Sequence, residues 1–187
     1  MKIYQLLLIP AIVVMTAFTQ TGGDEYDITR SDDKPFAFNS IGSIITNEGS
    51  TLIRESILFN DKTCPVRIDG HSTSFEFKDR GFRINGETKT SISQAITAIE
   101  VRTAMYDIFG RHMHNLSNTE VEDGDIGSMN LTAVWRASDS DPSKLLTTVT
   151  WVVRVRLSDG KQWVFNEDNV RGALSTLNLE NKIEDDE

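Results

Sequence analysis

The side chains able to do chemistry are few and scattered. Three histidines stand at 71, 112 and 114, and the single cysteine is Cys64. On a regular strand, His112-x-His114 would place both rings on one face, at a spacing that suits Zn²⁺ or Cu²⁺. A third ligand would have to be Asp107 or Glu120, and a pair of solvated turn histidines explains the pattern more simply. Cys64 with a histidine could form a nucleophile–base pair, but nothing adjacent supplies the partner. A small buried hydrophobe is the simpler reading. As the only cysteine it excludes an intramolecular disulfide, which leaves an intermolecular bridge or a reactive thiol as its other roles. Glu122-Asp123-Gly124-Asp125 gathers carboxylates at a loop, as a hard cation such as Ca²⁺ requires. The ligand spacing of an EF-hand is missing, and a solvated hairpin turn accounts for it. Asp139-Ser140-Asp141 offers the same chemistry more weakly. No phosphate-binding loop, nucleophile elbow or dinucleotide fingerprint occurs. Asn115-Leu116-Ser117 and Asn130-Leu131-Thr132 match the glycosylation pattern, which matters only in a eukaryotic host. The expectation is no catalytic residue, no metal ligand and no cofactor.

The elements that would position such groups read as strands. The clearest stretch is residues 147–166, TTVTWVVRVRLSDGKQWVFN. Val149, Trp151, Val153, Val155 and Leu157 alternate with Thr148, Thr150, Arg154 and Arg156, which predicts a half-buried strand. Ser158-Asp159-Gly160 then turns the chain. A two-residue loop would set Arg156 opposite Trp163. A three-residue loop, with Gly160 left-handed in a bulge, would set Val155 opposite Trp163 and Val153 opposite Phe165. Only the bulged register collects the apolar residues on one side, so that register is expected. Trp151, Trp163 and Phe165 then share one face. Arg154 and Arg156 face away with Glu100 and Arg102, so neighbouring strands there would carry an ion-pair ladder. That ladder reads either as a solvated sheet face or as a partner-binding face.

Further strands are expected at 36–45, 51–60, 64–68, 75–77, 96–109 and 129–137. Asp69-Gly70, Asp79-Arg80-Gly81 and Asn85-Gly86 read as turns. The stretch 96–109 also fits helical spacing, but its β-branched residues and the Phe109-Gly110 stop favour a long strand. Residues 166–177 suit a short helix, capped by Asn166 or Asp168, with Val170, Ala173, Leu174 and Leu177 on one side. Seven to nine short strands with polar turns predict an all-β chain, an immunoglobulin-like antiparallel β-sandwich with a short C-terminal helix. The expected organisation is a signal peptide or N-terminal anchor at 1–19, a flexible linker at 20–35, the sandwich at 36–179 and an acidic tail at 180–187.

The run Ala98-Ile99-Glu100-Val101, then Tyr106-Asp107-Ile108-Phe109-Gly110, and later Val155-Arg156-Leu157-Ser158-Asp159-Gly160 before Trp163, resembles small exported bacterial immunoglobulin- or fibronectin-like domains of the FxLYD kind. It covers residues 96–165. The resemblance implies a non-catalytic envelope domain and brings no functional residue with it.

Composition sets the address. Residues 6–17, LLLIPAIVVMTA, have the length of a signal h-region and are short for a membrane span; cleavage after Ala17 or Thr19 would remove them. With 19 basic against 28 acidic residues, the chain is a poor ligand for nucleic acid or anionic lipid. The functional expectation is a non-catalytic exported module, periplasmic or extracellular, that binds a protein partner or its own copies. Membrane contact would come only through an uncleaved N-terminus. The alternatives are an envelope metal-handling protein using His112 and His114, or a hydrolase whose site is assembled from distant residues.

Overall fold

The computed structural model describes residues 18–20, 25–35, 39–41, 44–46, 53–121 and 127–183. Residues 1–17 of the expected signal peptide or anchor at 1–19, and the acidic stretch 122–125, lie outside the described residues. The strands are β1 (Phe18–Gln20), β2 (Tyr26–Pro35), β3 (Asn39–Ile41), β4 (Ile44–Thr46), β5 (Ile53–Asp61), β6 (Val66–Lys78), β7 (Gly81–Ile92), β8 (Ile96–Asp107), β9 (His112–Glu120), β10 (Gly127–Ala137), β11 (Leu145–Leu157) and β12 (Gln162–Val164). Among the described residues one α-helix, α1 (Glu167–Thr176), follows β12.

The strands form an all-β sandwich. A large sheet runs β1-β2-β5-β11-β8-β9, with β12 also on β11, and a small sheet runs β10-β7-β6. β3 and β4 make a separate hairpin. Pairing is antiparallel except between β5 and β11, which run parallel from Glu55 opposite Thr147 to Phe59 opposite Trp151. Beyond that pair, β12 takes over the same side of β11.

The β11–β12 hairpin has the expected bulged register. Val155 lies opposite Trp163, the Phe165 amide donates to the Val153 carbonyl, and Gly160 is left-handed at φ +86°. The wider face assignment differs. A register shift between Val152 and Arg154 breaks the alternation. Val149 and Trp151 pack with Val170, Ala173 and Leu174 of α1, whereas Val152 and Val155 pack with Val66, Ile68 and Leu131 of the small sheet. β11 is therefore buried on both faces, and Trp151 has no solvent exposure. Thr148 and Thr150 are also buried: a threonine suits a wet or a dry strand face, so sequence alternation alone does not fix their burial. Thr150 shares a 3.0 Å hydroxyl contact with Thr103 of β8. The large sheet thus carries the small sheet on one face and α1 on the other.

Four local expectations are corrected. Much of the expected linker at 20–35 is β2, paired with β5, because Tyr26 stacks on Phe59 at 4.7 Å and Ile28 enters the core. Asp69-Gly70 is no turn but a bulge inside β6, at the register shift between Ile68 and Gly70. Asn85-Gly86 lies within β7, where a Cβ on Gly86 would stand 2.8 Å from the Trp135 ring, so the glycine admits an aromatic instead of turning the chain. The expected acidic tail is also docked in part, with Ile183 fully buried against the helix-side core.

Asn166 caps α1, its side chain accepting from the Asp168 amide at 3.1 Å. Val170, Ala173 and Leu174 are its buried face.

Candidate functional site

The histidine pair does not form a site. The β8–β9 register shifts between Met105 and Tyr106, so Met105 faces His114 while Tyr106 faces His112, with Met113 between them. That bulge breaks the period of two on which a shared face depends. The His112 ring stands edge-on to Tyr106 at 5.8 Å, beside the helix-side core, while Met113 packs with the inter-sheet cluster. His114 Nε2 instead lies 3.3 Å from Asp141 Oδ2. Asp107, one of the two candidate third ligands, uses Oδ1 to accept the amides of Phe109 and Arg111. Among the described residues no three of His, Cys, Asp and Glu gather as a cation would need.

Asp141 is a buried loop staple. It accepts from the Ser138 amide at 2.8 Å and from the Ser138 hydroxyl at 2.6 Å. The serine proton points to the carboxylate and not to His114, which is not the arrangement of an activated nucleophile.

His71 belongs to the core. Nδ1 meets Thr88 at 2.9 Å and Nε2 meets Thr73 at 3.1 Å. Burial pulls its pKa down to about 4, so the ring is neutral. Cys64 lines an open cleft of about 370 Å³ with Asp27, Lys62 and Arg67. Burial pushes its thiol up to about 12, although the Val66 amide bonded to sulfur works the other way. That thiol is a poor nucleophile.

The expected ion-pair row is present for Glu100, Arg102 and Arg154. β8 and β11 are neighbours, and Glu100 stands opposite Arg154. Glu100 is nearly buried; its Oε2 lies 2.5 Å from Arg154 Nε, and its Oε1 lies 3.8 Å from Arg102 Nη2. Arg102 Nη1 reaches Glu167 at the start of α1 at 3.0 Å. The row fastens the helix to the sheet and borders a shallow depression of about 200 Å³ lined by Ala98, Thr119, Arg156 and Gln162.

The feature that sequence reasoning did not single out as a surface is the β8–β9 turn. The Gly110 amide donates to the Asp107 carbonyl and the Asp107 amide to the Arg111 carbonyl, both at 2.9 Å. Gly110 is left-handed at φ +75°. The C-terminal segment braces the turn from below: the Glu180 amide donates to the Gly110 carbonyl at 2.8 Å, and the His112 amide to Glu180 Oε2 at 2.8 Å. The Tyr106 hydroxyl donates to the Lys182 carbonyl at 3.0 Å. On this frame Phe109 is 75% exposed, Ile108 is 41% exposed, and the Arg111 guanidinium lies 5.8 Å from the Phe109 ring centre. The signal was visible as Tyr106-Asp107-Ile108-Phe109-Gly110, whose alternation reads simply as the end of a strand.

No family model matches the chain. No curated protein matches it either. Among solved structures, a hypothetical protein from Peptoclostridium difficile 630, known from a 1.85 Å X-ray structure, is similar at 9% identity and a TM-score of 0.45. The likeness covers 60% of this chain and 92% of that one.

Proposed function

We propose that the chain is a non-catalytic β-sandwich module of the exported, immunoglobulin-like kind, and that it binds a protein partner through the β8–β9 turn. The observation that carries the reading is Phe109, held out to solvent on a turn fixed by its own backbone bonds and by the C-terminal segment. A large aromatic on a pre-ordered frame loses little freedom on docking, which is what an interface anchor requires. The stacked Arg111 adds a cation at the rim, suited to a partner pocket with carboxylates beside an apolar floor. Net charge −9 favours a protein partner over an anionic membrane. The Tyr-Asp-Ile-Phe-Gly run at this turn also supports the FxLYD-like reading.

The test is a photo-crosslinking residue placed at position 109 in the producing cell, with position 134 as control. Val134 is 59% exposed and lies on β10 of the small sheet. A discrete adduct at 109 and none at 134 is the expected result. Identical adducts at both positions, or none at either, would overturn the reading.

A further inference from the structure

We infer that the depression beside Glu100 binds a carboxylate, supplied by an acidic side chain with an apolar neighbour on a protein segment. The site lies near the start of β8, at the opposite end of that strand from the Phe109 turn, and does not depend on it. The ion row there is one carboxylate short. On the helix-side face of the large sheet, Arg102, Arg154 and Arg156 stand against two acids, Glu100 and Glu167, and none of the ion pairs of this face includes Arg156. The neighbour of Arg156 on β8 is Ala98 and its neighbour on β12 is Gln162, both neutral. Continuing the row would take an acid at 98. Alanine leaves the depression of about 200 Å³ there instead. In a chain of net charge −9, that is a local excess of positive charge.

The geometry suits one carboxylate. The register with β8 is unbroken from Arg154 to Arg156, so both side chains leave the same face, about 7 Å apart along the strand. Glu100 meets Arg154 at Nε. A guanidinium carries five donors, so Arg154 keeps others for a second acceptor. Because Glu100 is nearly buried, it holds Arg154 in place before any ligand arrives, which lowers the cost of ordering that side chain. Thr119 and Gln162 add a hydroxyl and an amide to the lining. The single uncompensated cation matches a single negative charge. A phosphate dianion would bring a second charge up against Glu100, which selects against it.

Size and surroundings assign the carboxylate to a protein segment. Small-molecule pockets run to about 300–1,000 Å³. A depression of about 200 Å³ takes one side chain and not a whole cofactor. A free acid would gain little more than an exposed ion pair. A peptide can also cover Val164, which lies opposite Arg154 on β12 and is 65% exposed. Burying that side chain adds an apolar contribution that the acid alone does not have.

The test is a nuclear magnetic resonance titration of the isotope-labelled chain with two end-blocked tetrapeptides, Gly-Leu-Glu-Gly and Gly-Leu-Gln-Gly. The glutamate peptide should shift the Arg156 Nε–H and Gln162 side-chain amide signals, and the glutamine peptide should not. Arg156→Gln should weaken binding at least about tenfold, as loss of a charge-assisted hydrogen bond does. Ala98→Glu supplies the missing acid from within. It should abolish binding and raise the thermal midpoint, because an opposite-charge pair then spans the strands. Ala98→Gln fills the same space without charge and should leave the midpoint unraised. No shift at millimolar peptide, equal shifts by both peptides, or unchanged binding to Arg156→Gln or Ala98→Glu would overturn the site. Propionate, the free-acid counterpart of the glutamate side chain, should bind at least about tenfold more weakly than the glutamate peptide. Equal binding would overturn the protein source in favour of a small acid, and tighter binding of inorganic phosphate would overturn the choice of carboxylate.

Discussion

Glu100 on β8 and Arg154 on β11 face each other across the central pair of the large sheet, with 2.5 Å between carboxylate and guanidinium. The two partners are not equally exposed: the Glu100 side chain is 10% accessible and that of Arg154 65%. Removing the buried partner is therefore the costlier change. Glu100→Gln should lower unfolding free energy by about 2 kcal/mol, because Arg154 and Arg102 lose a desolvated acceptor. Arg154→Ala should cost under about 1 kcal/mol, as an exposed partner does. Urea denaturation of both variants checks the ordering.

His71 makes folding sensitive to mild acid. Its folded pKa, about 4, is below the ordinary 6.5, so the unfolded chain binds more protons between those values. Stability from this group is full above pH 6.5 and falls as pH drops towards 4. The loss should reach about 3 kcal/mol. His71→Gln should flatten that limb of a urea midpoint-against-pH curve; an unchanged slope would show that other groups set it.

Cys64 should resist alkylation. With its thiol pushed up to about 12, little thiolate exists at pH 8. Iodoacetamide should leave the native mass unchanged over an hour and modify the urea-unfolded chain in minutes.

Asn60 guards the edge of β6. Its amide nitrogen donates to the Ile68 carbonyl at 2.9 Å and its oxygen accepts the Ile68 amide at 2.8 Å. A side chain thus stands where a neighbouring strand would. Asn60→Ala should cost about 2 kcal/mol through two lost bonds to buried groups. It should also expose a pairing edge, which light scattering would register as self-association at concentrations where the parent stays unchanged.

Gly110 holds the C-terminal brace in place. A Cβ there would lie 2.7 Å from the Asn178 carbonyl oxygen, on a backbone at φ +75°. Gly110→Ala should loosen residues 178–183 at a cost of about 2 kcal/mol. Faster hydrogen exchange at Leu179 and Glu180, with β11 still protected, is the expected signature.

The architecture was largely legible, and the surface was not. The bulged hairpin could be read because only one register sorts Val153, Val155, Trp163 and Phe165 together. The helix could be read from Asn166 and the spacing of Val170, Ala173 and Leu174. The ion row followed from Glu100 and Arg154 lying on adjacent strands. Bulges were hidden, because an inserted residue leaves no composition signal: the one at Met113 separates His112 from His114, and the shift after Val152 sends Trp151 and Val155 to different cores. Glycine misled where it serves a neighbour, as Gly86 does for Trp135. Phe109 was hidden because an exposed aromatic and a buried one are the same letter at the end of a strand.

The parallel pairing of β5 with β11 sets an order in time. The centre of the large sheet joins residues 55–59 to residues 147–151, and the whole small sheet is encoded between them. A growing chain that has reached Ala137 holds every strand of the small sheet but only the two flanks of the large one. β1, β2 and β5 on one side, and β8 and β9 on the other, have no shared neighbour until β11 is made. Closing so long a loop is slow. The two flanks of the large sheet therefore wait for β11, and that sheet closes only once the small sheet between them is complete in sequence.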